Sequence, residues 1–252
     1  MNIQLKNIEK SFHLPGRQKL KVLVDISLTV PHGSFTVILG ESGSGKSTLL
    51  NLIAGLSKPS VGQVIANDQN ITGPDPSRSM IFQTPSLLPW LTVEENISFG
   101  CRLRGDTSNL SQRVNELIAM TGLQGFEKSH PTELSLGMAQ RVSLARALIG
   151  KAKILLMDEP FGSLDSINRT RLQSELINIW QRIGYTGILV THDIEEAVAM
   201  AQQIVLLGGR PSSIQKIIDI DLPYPRDLTG EDFFKARSKV LQELHKAYEQ
   251  KL

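Results

Sequence analysis

Short apolar runs alternate along the chain with longer segments in which apolar residues recur every three or four positions. The short runs are rich in valine, isoleucine and leucine, as is typical of buried strands. They cover residues 2–8, 20–30, 35–39, 62–66, 79–83, 154–159, 187–191 and 204–207. The helical periodicity covers residues 47–56, 92–122, 135–149, 167–183 and 193–202. This alternation predicts an α/β fold with a mostly parallel sheet.

The middle of the chain departs from this alternation, because helical periodicity dominates there. We expect a single domain in which residues 84–150 form a helical insertion in an α/β core made of 1–83 and 151–221. Residues 222–252 form a tail that is predicted to end in an amphipathic helix. The apolar stripe of this helix consists of Phe233, Phe234, Val240, Leu241, Leu244 and Tyr248. Packing on the chain's own domain is the favoured interpretation, and binding to a partner is the alternative.

One loop fits the pattern G-x-x-x-x-G-K-[ST], with an apolar strand before it and a helix after it. Its residues are Gly40, Glu41, Ser42, Gly43, Ser44, Gly45, Lys46, Ser47 and Thr48. Backbone N–H groups of such a loop point at a polyphosphate, and the helix N-terminus adds partial positive charge. Lys46 is predicted to contact the β- and γ-phosphates, and Ser47 to offer a hydroxyl ligand to Mg²⁺. The alternative is a glycine-rich surface turn, and the flanking strand and helix argue against it.

Polar residues stand at the ends of three other predicted strands. Asp158 and Glu159 end one strand, Gln83 ends another, and His192 follows a third. Because ligands bind at the carboxyl ends of parallel strands, we expect these side chains near the phosphate loop. Asp158 suits a Mg²⁺ ligand, and Glu159 suits a base for an attacking water. Gln83 would contact the metal or the water, and His192 the γ-phosphate. Each residue alone also has a purely structural explanation.

The composition limits the possible functions. The chain has 252 residues and a formal net charge of +2, which gives no electrostatic case for nucleic-acid binding. The single cysteine, Cys101, cannot form an internal disulfide and is expected to be a small buried apolar residue. No uncharged apolar run approaches the ~18 residues that a membrane span needs, and the N-terminus does not resemble a signal peptide. We therefore expect a cytoplasmic protein that reaches a membrane only by docking onto a partner.

Six motifs in sequence resemble the ATP-binding subunits of ATP-binding-cassette (ABC) transporters, and the resemblance covers nearly the whole chain. The loop at 40–48 resembles the Walker A loop, Gln83 the Q-loop, 134–141 the signature loop, 154–160 the Walker B strand with its catalytic glutamate, 163–165 the D-loop and His192 the switch histidine. Phe12 would be a core aromatic on composition alone. The resemblance instead implies that Phe12 stacks on adenine.

The resemblance implies a P-loop NTPase fold with an N-terminal antiparallel part and an inserted helical subdomain. ATP and Mg²⁺ are the implied cofactors, with Ser47, Gln83 and Asp158 at the metal, and with Lys46, Glu159 and His192 in catalysis. A homodimer is implied to enclose two ATP molecules. Ser135, Gly137 and Met138 of one copy then face the nucleotide of the other, together with Asp165 of the D-loop.

The family also implies partners at the cytoplasmic face of the inner membrane. These are integral membrane permease subunits and, indirectly, a solute-binding protein, with no nucleic acid. The exposed apolar cluster expected after the Q-loop is the candidate docking surface. It consists of Leu87, Leu88, Pro89 and Trp90. For Trp90, docking and a place in the core are equally favoured.

The subtype is indicated by Met138 in the signature loop, by the Leu-Leu-Pro-Trp segment at 87–90 and by the segment at 222–227. All three resemble the bacterial importers of nitrate, sulfonates and taurine. Leu136 stands where the family usually has a glycine, and we expect it to be tolerated because Gly137 keeps the closest approach to the nucleotide. One alternative is a soluble ABC ATPase of DNA repair or chromosome organisation, against which the absence of heptads argues. The other is a regulatory ATP-binding module without hydrolysis or transport.

Overall fold

The computed structural model describes residues 1–13, 19–162 and 164–249. Three details of the sequence predictions lie outside the description: the loop at 15–17, Ser163 of the D-loop and the side chain of Tyr248. The chain forms two compact units. The first unit is Met1–Asp75 with Gly184–Leu252, and the second unit is Pro76–Ile183. The boundaries of core, insertion and tail that the sequence suggests stay a prediction.

Strands and helices occur in the predicted alternation. The strands are β1 (Ile3–Phe12), β2 (Leu20–Val30), β3 (Phe35–Leu39), β4 (Val61–Ala66), β5 (Gln69–Asn70), β6 (Arg78–Ile81), β7 (Ile154–Asp158), β8 (Thr186–Thr191), β9 (Gln203–Gly209) and β10 (Ser212–Asp219). The helices are α1 (Lys46–Ala54), α2 (Val93–Leu103), α3 (Leu110–Met120), α4 (Leu136–Leu148), α5 (Ser166–Ile183), α6 (Ile194–Met200) and α7 (Glu231–Glu249). Among the helices in the described ranges, none is both long and apolar enough to cross a bilayer.

In the first unit the strands lie in the order β5-β4-β1-β2-β10-β9-β3-β8. β3 runs parallel to both β8 and β9, which confirms the parallel arrangement predicted around the phosphate loop. β1 pairs antiparallel with β2 and β4, and this is the N-terminal antiparallel part. β10, antiparallel to β9, was not predicted, because its residues show no clean alternation of buried and exposed positions.

β3 lies at the centre of the first unit's core. Its residues Phe35, Val37, Ile38 and Leu39 are all fully buried. A parallel strand that is covered on both faces reads as a continuous apolar run, which is the pattern seen in the sequence. α6 packs against β3, and α1 contacts β8. The loop that follows β3 therefore starts from a rigid support.

The tail helix α7 packs against α6, β9 and β10 of the first unit, so the favoured interpretation of its apolar stripe is confirmed. Phe233 and Val240 are buried in this contact. Phe234, predicted in the same stripe, is 52% exposed. It lies next to Phe233 on the helix, about 100° further round the axis.

In the second unit β6 pairs in parallel with β7, and α4 packs against α2, α3, α5 and β6. The single helical segment predicted at 92–122 is two helices. Thr92 caps α2 in a reciprocal hydrogen-bonded box with Glu95, and the chain turns at Gly105, whose φ is 70°, before α3 begins. Cys101 on α2 is fully buried, as predicted for a small apolar residue.

Candidate functional site

The glycine-rich loop lies where the sequence predicts it, between the end of β3 and the start of α1. Gly45 has a φ of 85°, and a β-carbon there would lie 2.9 Å from the side chains of Val22 and Leu23. A β-carbon on Gly40 would lie 2.4 Å from the carbonyl oxygen of Leu207. Side chains at these two positions would collide with the neighbouring strands. The loop therefore needs glycine for its own packing as well as for access to its N–H groups.

Lys46 is the first residue of α1, and its side chain folds back into the loop. Its Nζ donates to the carbonyl oxygens of Gly40 at 2.8 Å and Glu41 at 2.9 Å, and the residue is only 4% exposed. The first turn of α1 contains no acidic residue, so its partial positive charge is not neutralised from within the helix. The buried Ser44 hydroxyl has no hydrogen-bond partner among the described residues. These features together make an anion-binding cradle.

His192 lies next to this loop. The register of β3 and β8 pairs Leu39 with Thr191, and the Gly40 N–H donates to the Thr191 carbonyl at 3.3 Å. Gly40 and His192 are therefore the next residues on two adjacent parallel strands. His192 is exposed, and Asp193 after it caps α6 by accepting from the N–H groups of Glu195 and Glu196.

In the second unit, the parallel strands β6 and β7 likewise position the candidate site residues. The register of β6 and β7 pairs Ile81 with Met157. Gln83 and Glu159 each follow two residues later, so they leave neighbouring strand ends on the same edge. A β-carbon on Gly162 would lie 3.8 Å from Nε2 of Gln83 and 3.6 Å from the carbonyl oxygen of Glu159. Asp158, half-buried, is the last residue of β7.

Glu159 has a left-handed backbone conformation, with a φ of 44°. Such a conformation costs a non-glycine residue on the order of 1–3 kcal/mol and is concentrated at functional sites. The turn that follows is closed by a hydrogen bond of 3.2 Å from the Gly162 N–H to the Glu159 carbonyl. The sequence gives no sign of this strain.

The signature segment opens α4. Ser135 caps the helix by accepting from the Met138 N–H at 3.3 Å, and Leu136 beside it is 42% exposed. Among the described residues, a β-carbon on Gly137 would meet the Leu164 side chain, at an ordinary contact distance of 3.8 Å. The packing of the described residues therefore does not require glycine at position 137.

Asp165 lies just before α5. Its carboxylate accepts from the backbone N–H of Asn168 at 3.0 Å and from the Asn168 side chain at 2.6 Å. The backbone hydrogen bond from Asn168, followed by the side-chain bond, lowers the pKa of the Asp165 carboxyl. Asp165 is thus an ionised helix cap as well as the predicted D-loop residue.

Phe12, at the end of β1, is 39% exposed, and Lys10 Nζ lies 5.0 Å from the centre of its ring. The core interpretation of Phe12 from composition alone is therefore wrong. Trp90 is 69% exposed, so a place in the core is also excluded for that residue.

Two residues with contacts to the site segments were missed by the sequence reasoning. Gln140 of α4 is 3% exposed, and its Nε2 donates to the backbone carbonyl of Gln83 at 2.9 Å. In the first unit, Nη2 of Arg210 would lie 3.4 Å from a β-carbon on Gly43, so its guanidinium borders the phosphate loop. Gln140 belongs to the predicted signature run and could have been suspected. Arg210 carries no local signal, because only the fold brings it to the loop.

The structure thus brings the predicted residues together in two groups. The first unit holds the phosphate loop with Lys46 and His192, and the second unit holds Gln83, Asp158, Glu159, the start of α4 and Asp165.

Comparison with known proteins leads to the same family that the sequence motifs resemble. The model of the ABC transporter family matches residues 23–162, which is more than half of the chain. The aliphatic sulfonates import ATP-binding protein SsuB of Bacillus cereus is 43% identical over 98% of this chain and 97% of its own length. SsuB of Bacillus subtilis is 44% identical over 98% and 95%. The nitrate import ATP-binding protein NrtD of Synechocystis is 42% identical over 88% and 84%.

The fold also has close solved counterparts. A dimeric structure of the ATP-binding cassette MJ0796 in a post-hydrolysis state, bound to ADP and Pi, has a TM-score of 0.77 and 29% identity. The aligned region covers 88% of the present chain and 100% of the MJ0796 chain. This likeness confirms the predicted α/β fold of a P-loop ATPase cassette. With the phosphate loop, the family match and the full-length relatives in agreement, the chain belongs to the ABC transporter family.

Proposed function

We propose that the chain is the ATP-hydrolysing subunit of an importer of small anions. The observation that carries this proposal is the anion cradle at the end of β3, with Lys46 held inside the glycine-rich loop at 2.8 and 2.9 Å from its carbonyls. This loop has glycines where a β-carbon would collide, a helix N-terminus at its end and a lysine inside it. These features fit the polyphosphate of a nucleotide.

ATP binding is assigned to the first unit. The N–H groups of the loop would hold the phosphates, while the Lys46 ammonium would exchange its carbonyl partners for phosphate oxygens. Phe12, exposed at the end of β1, suits stacking on adenine.

The residues that the family resemblance implies at the metal all offer oxygen donors, which Mg²⁺ prefers: the Ser47 hydroxyl in the first unit, and the Asp158 carboxylate and the Gln83 amide oxygen in the second. The described residues contain no cluster of three or more His, Cys, Asp or Glu side chains able to hold a metal. This agrees with Mg²⁺ that is bound largely by phosphate and water, with few protein ligands. When bound, Mg²⁺ neutralises charge that develops on the phosphates.

Hydrolysis is assigned to Glu159 and His192. Glu159 would accept the proton of the attacking water, and its left-handed backbone supports this role because such strain is concentrated at functional sites. His192 leaves β8 beside Gly40, which suits a contact with the γ-phosphate. Gln83 shares a sheet edge with Glu159 and would orient the water or the metal.

Turnover is assigned to a homodimer. Ser135, Gly137 and Met138 at the start of α4 would face the nucleotide of the second copy, with Asp165 nearby in the D-loop. Gly137 supports this, because the packing of the described residues leaves room for a side chain there, which points to a second copy as the source of any requirement for glycine. The MJ0796 cassette is itself dimeric.

Transport requires partners at the cytoplasmic face of the membrane. A permease would dock on the second unit at Leu87, Leu88, Pro89 and Trp90, where Trp90 is 69% exposed. A solute-binding protein would complete the importer. The names of the SsuB and NrtD relatives support a sulfonate, nitrate or related small anion as the solute.

The test is reconstitution. The chain and the permease that co-purifies with it from native membranes are placed in proteoliposomes with ATP, and uptake of radiolabelled taurine and of nitrate is measured. We expect uptake of one of these two solutes to need ATP and to be lost in Lys46→Ala. The proposal would be contradicted if no membrane protein co-purified with the chain, or if the Lys46→Ala variant retained uptake.

A further inference from the structure

α6 begins two residues after His192 and is only seven residues long. Its inner residues Ala197, Val198 and Met200 are fully buried. A helix of about two turns is not stable on its own, so its position depends on tertiary contacts. Apolar packing is not directional, and it leaves the exact rotation and register of a short helix to polar contacts at its ends.

The tail segment between β10 and α7 supplies such contacts at the C-terminal end of α6. The Tyr224 hydroxyl donates to the carbonyl of Met200 at 2.6 Å, and the Arg226 guanidinium donates to the carbonyl of Val198. The last four carbonyls of a helix have no donors within the helix, and a cation there also matches the negative end of the helix dipole. Tyr224 and Arg226, here called the α6 clamp, thus complete the end of α6.

The α6 clamp is held in shape by its own contacts. The Arg226 guanidinium lies 4.3 Å from the centre of the Tyr224 ring, and its Nε donates to the Leu222 carbonyl at 3.3 Å. Burial raises the pKa of the Tyr224 hydroxyl to about 12, so the hydroxyl remains a donor at neutral pH. The Tyr224 ring and the Arg226 guanidinium therefore hold each other in the orientation in which they contact α6.

Further contacts hold the other end of α6. Asp193 caps its first turn, and Arg237 of α7 forms an ion pair of 3.0 Å with Glu195. That ion pair is exposed and contributes little. The half-buried α6 clamp and the Asp193 cap are thus the polar contacts that fix α6 at its two ends.

We propose that Tyr224 and Arg226 are positioning residues for His192 and act through α6. The proposal rests on the role of His192 proposed above. A two-turn helix is stiff, so a shift at Met200 moves Asp193, and His192 is joined directly to Asp193. In the sequence, the tail segment at 222–227 indicated only the transporter subtype. In this proposal it positions His192, the residue assigned to the γ-phosphate.

The kinetic test compares Tyr224→Phe and Arg226→Lys with the control Asp227→Asn, which alters the same segment without touching α6. In the two clamp variants we expect kcat for ATP hydrolysis to fall about three- to tenfold, the effect of one hydrogen bond, with KM unchanged. In a His192→Ala background Tyr224→Phe should cause no further loss, because both changes act on one group. An equal loss of kcat in both backgrounds would overturn the proposal.

A second test reads the position of His192 directly, in the full chain without nucleotide. The ¹⁵N imidazole signals of His192, assigned by their loss in His192→Ala, should shift in Tyr224→Phe and stay in place in Asp227→Asn. Unchanged signals in Tyr224→Phe would overturn the positioning role. Normal turnover by His192→Ala would instead refute the proposed catalytic role of His192, and the signals would then decide the positioning claim alone.

Discussion

Glu159 combines a carboxylate with a backbone conformation that side chains rarely adopt, since its φ is 44°. A cost of this kind persists only where the surrounding structure imposes it. Here the parallel pairing of β6 and β7 carries Glu159 to the same edge as Gln83, and the hydrogen bond from Gly162 closes the turn behind it. The strained backbone of Glu159 is therefore part of the arrangement that places its carboxylate at this edge.

The first prediction concerns the chemistry of this carboxylate. Glu159→Gln keeps the shape and removes the base, so we expect kcat for ATP hydrolysis to fall by about 10² or more, while ATP affinity is retained. The variant should also accumulate as an ATP-bound dimer, which size-exclusion chromatography with and without ATP would detect. Glu116→Gln, on the exposed face of α3, is the matched control. Turnover at the wild-type rate by Glu159→Gln would contradict the assignment.

The second prediction concerns the strain. Glycine adopts a φ of 44° without cost, whereas alanine retains the steric penalty of a β-carbon. The free energy of unfolding of Glu159→Gly should therefore exceed that of Glu159→Ala by about 1 kcal/mol, as measured by urea denaturation. The same pair at Glu116, inside α3, should show the opposite order by about 1 kcal/mol. If alanine were the more stable residue at both positions, the strain at 159 would not exist.

At the scale of elements, Arg113 joins three parts of the second unit. Its guanidinium donates twice to Asp106, at 3.0 Å each, and once to the carbonyl of Ile149 at 2.5 Å. It also donates to the Cys101 sulfur at 3.4 Å. α3 is thereby tied to the end of α2 and to the end of α4, where the sequence pattern had suggested one uninterrupted helix.

The third prediction follows from this junction. The hydrogen bonds from Arg113 hold the pKa of the Asp106 carboxyl below its ordinary value of 3.8. Because the pKa of Asp106 is lower in the folded than in the unfolded protein, its carboxylate stabilises the fold at pH values above the unfolded-state pKa. This stabilisation is lost as the pH falls through the folded-state pKa. Asp106→Asn should therefore be less stable than the wild type at about pH 6, with the difference shrinking below about pH 4. Urea unfolding across this range is the measurement, and a constant difference would contradict the prediction.

Elements with a local signal could be predicted from the sequence, and contacts between distant elements could not. The loop at 40–48 has fixed glycines and a lysine, and the structure requires those glycines because the neighbouring strands leave no room at Gly40 and Gly45. The break between α2 and α3 was missed because the apolar periodicity continues on both sides of Gly105. The contact of Gln140 with Gln83 depends on the packing of α4 against β6, which no local pattern encodes.

At the scale of the whole molecule, the most exposed large apolar side chains of the described residues all belong to the second unit. Ile167 is 80% exposed, Leu103 72% and Trp90 69%. Leu136, at the start of α4, is also exposed. Of these side chains, Trp90 belongs to the proposed permease surface and Leu136 adjoins the proposed dimer surface, where exposed apolar groups favour contact with another chain.

The last prediction tests whether the glycine at 137 serves a second copy. Gly137→Ala adds a methyl group whose contact among the described residues is Leu164 at 3.8 Å, so the melting temperature and the affinity of the monomer for ATP should not fall. If the signature loop faces the nucleotide of the partner, the same methyl group should lower kcat about tenfold or more and weaken the ATP-dependent dimer.

Leu136→Gly is its matched control, because it restores the residue that the family usually has at the neighbouring position. We expect it to change kcat by less than about threefold, since Gly137 keeps the closest approach. Normal turnover by Gly137→Ala would place the signature loop away from the nucleotide. A rise of orders of magnitude in Leu136→Gly would show that Leu136 limits the approach of the two copies.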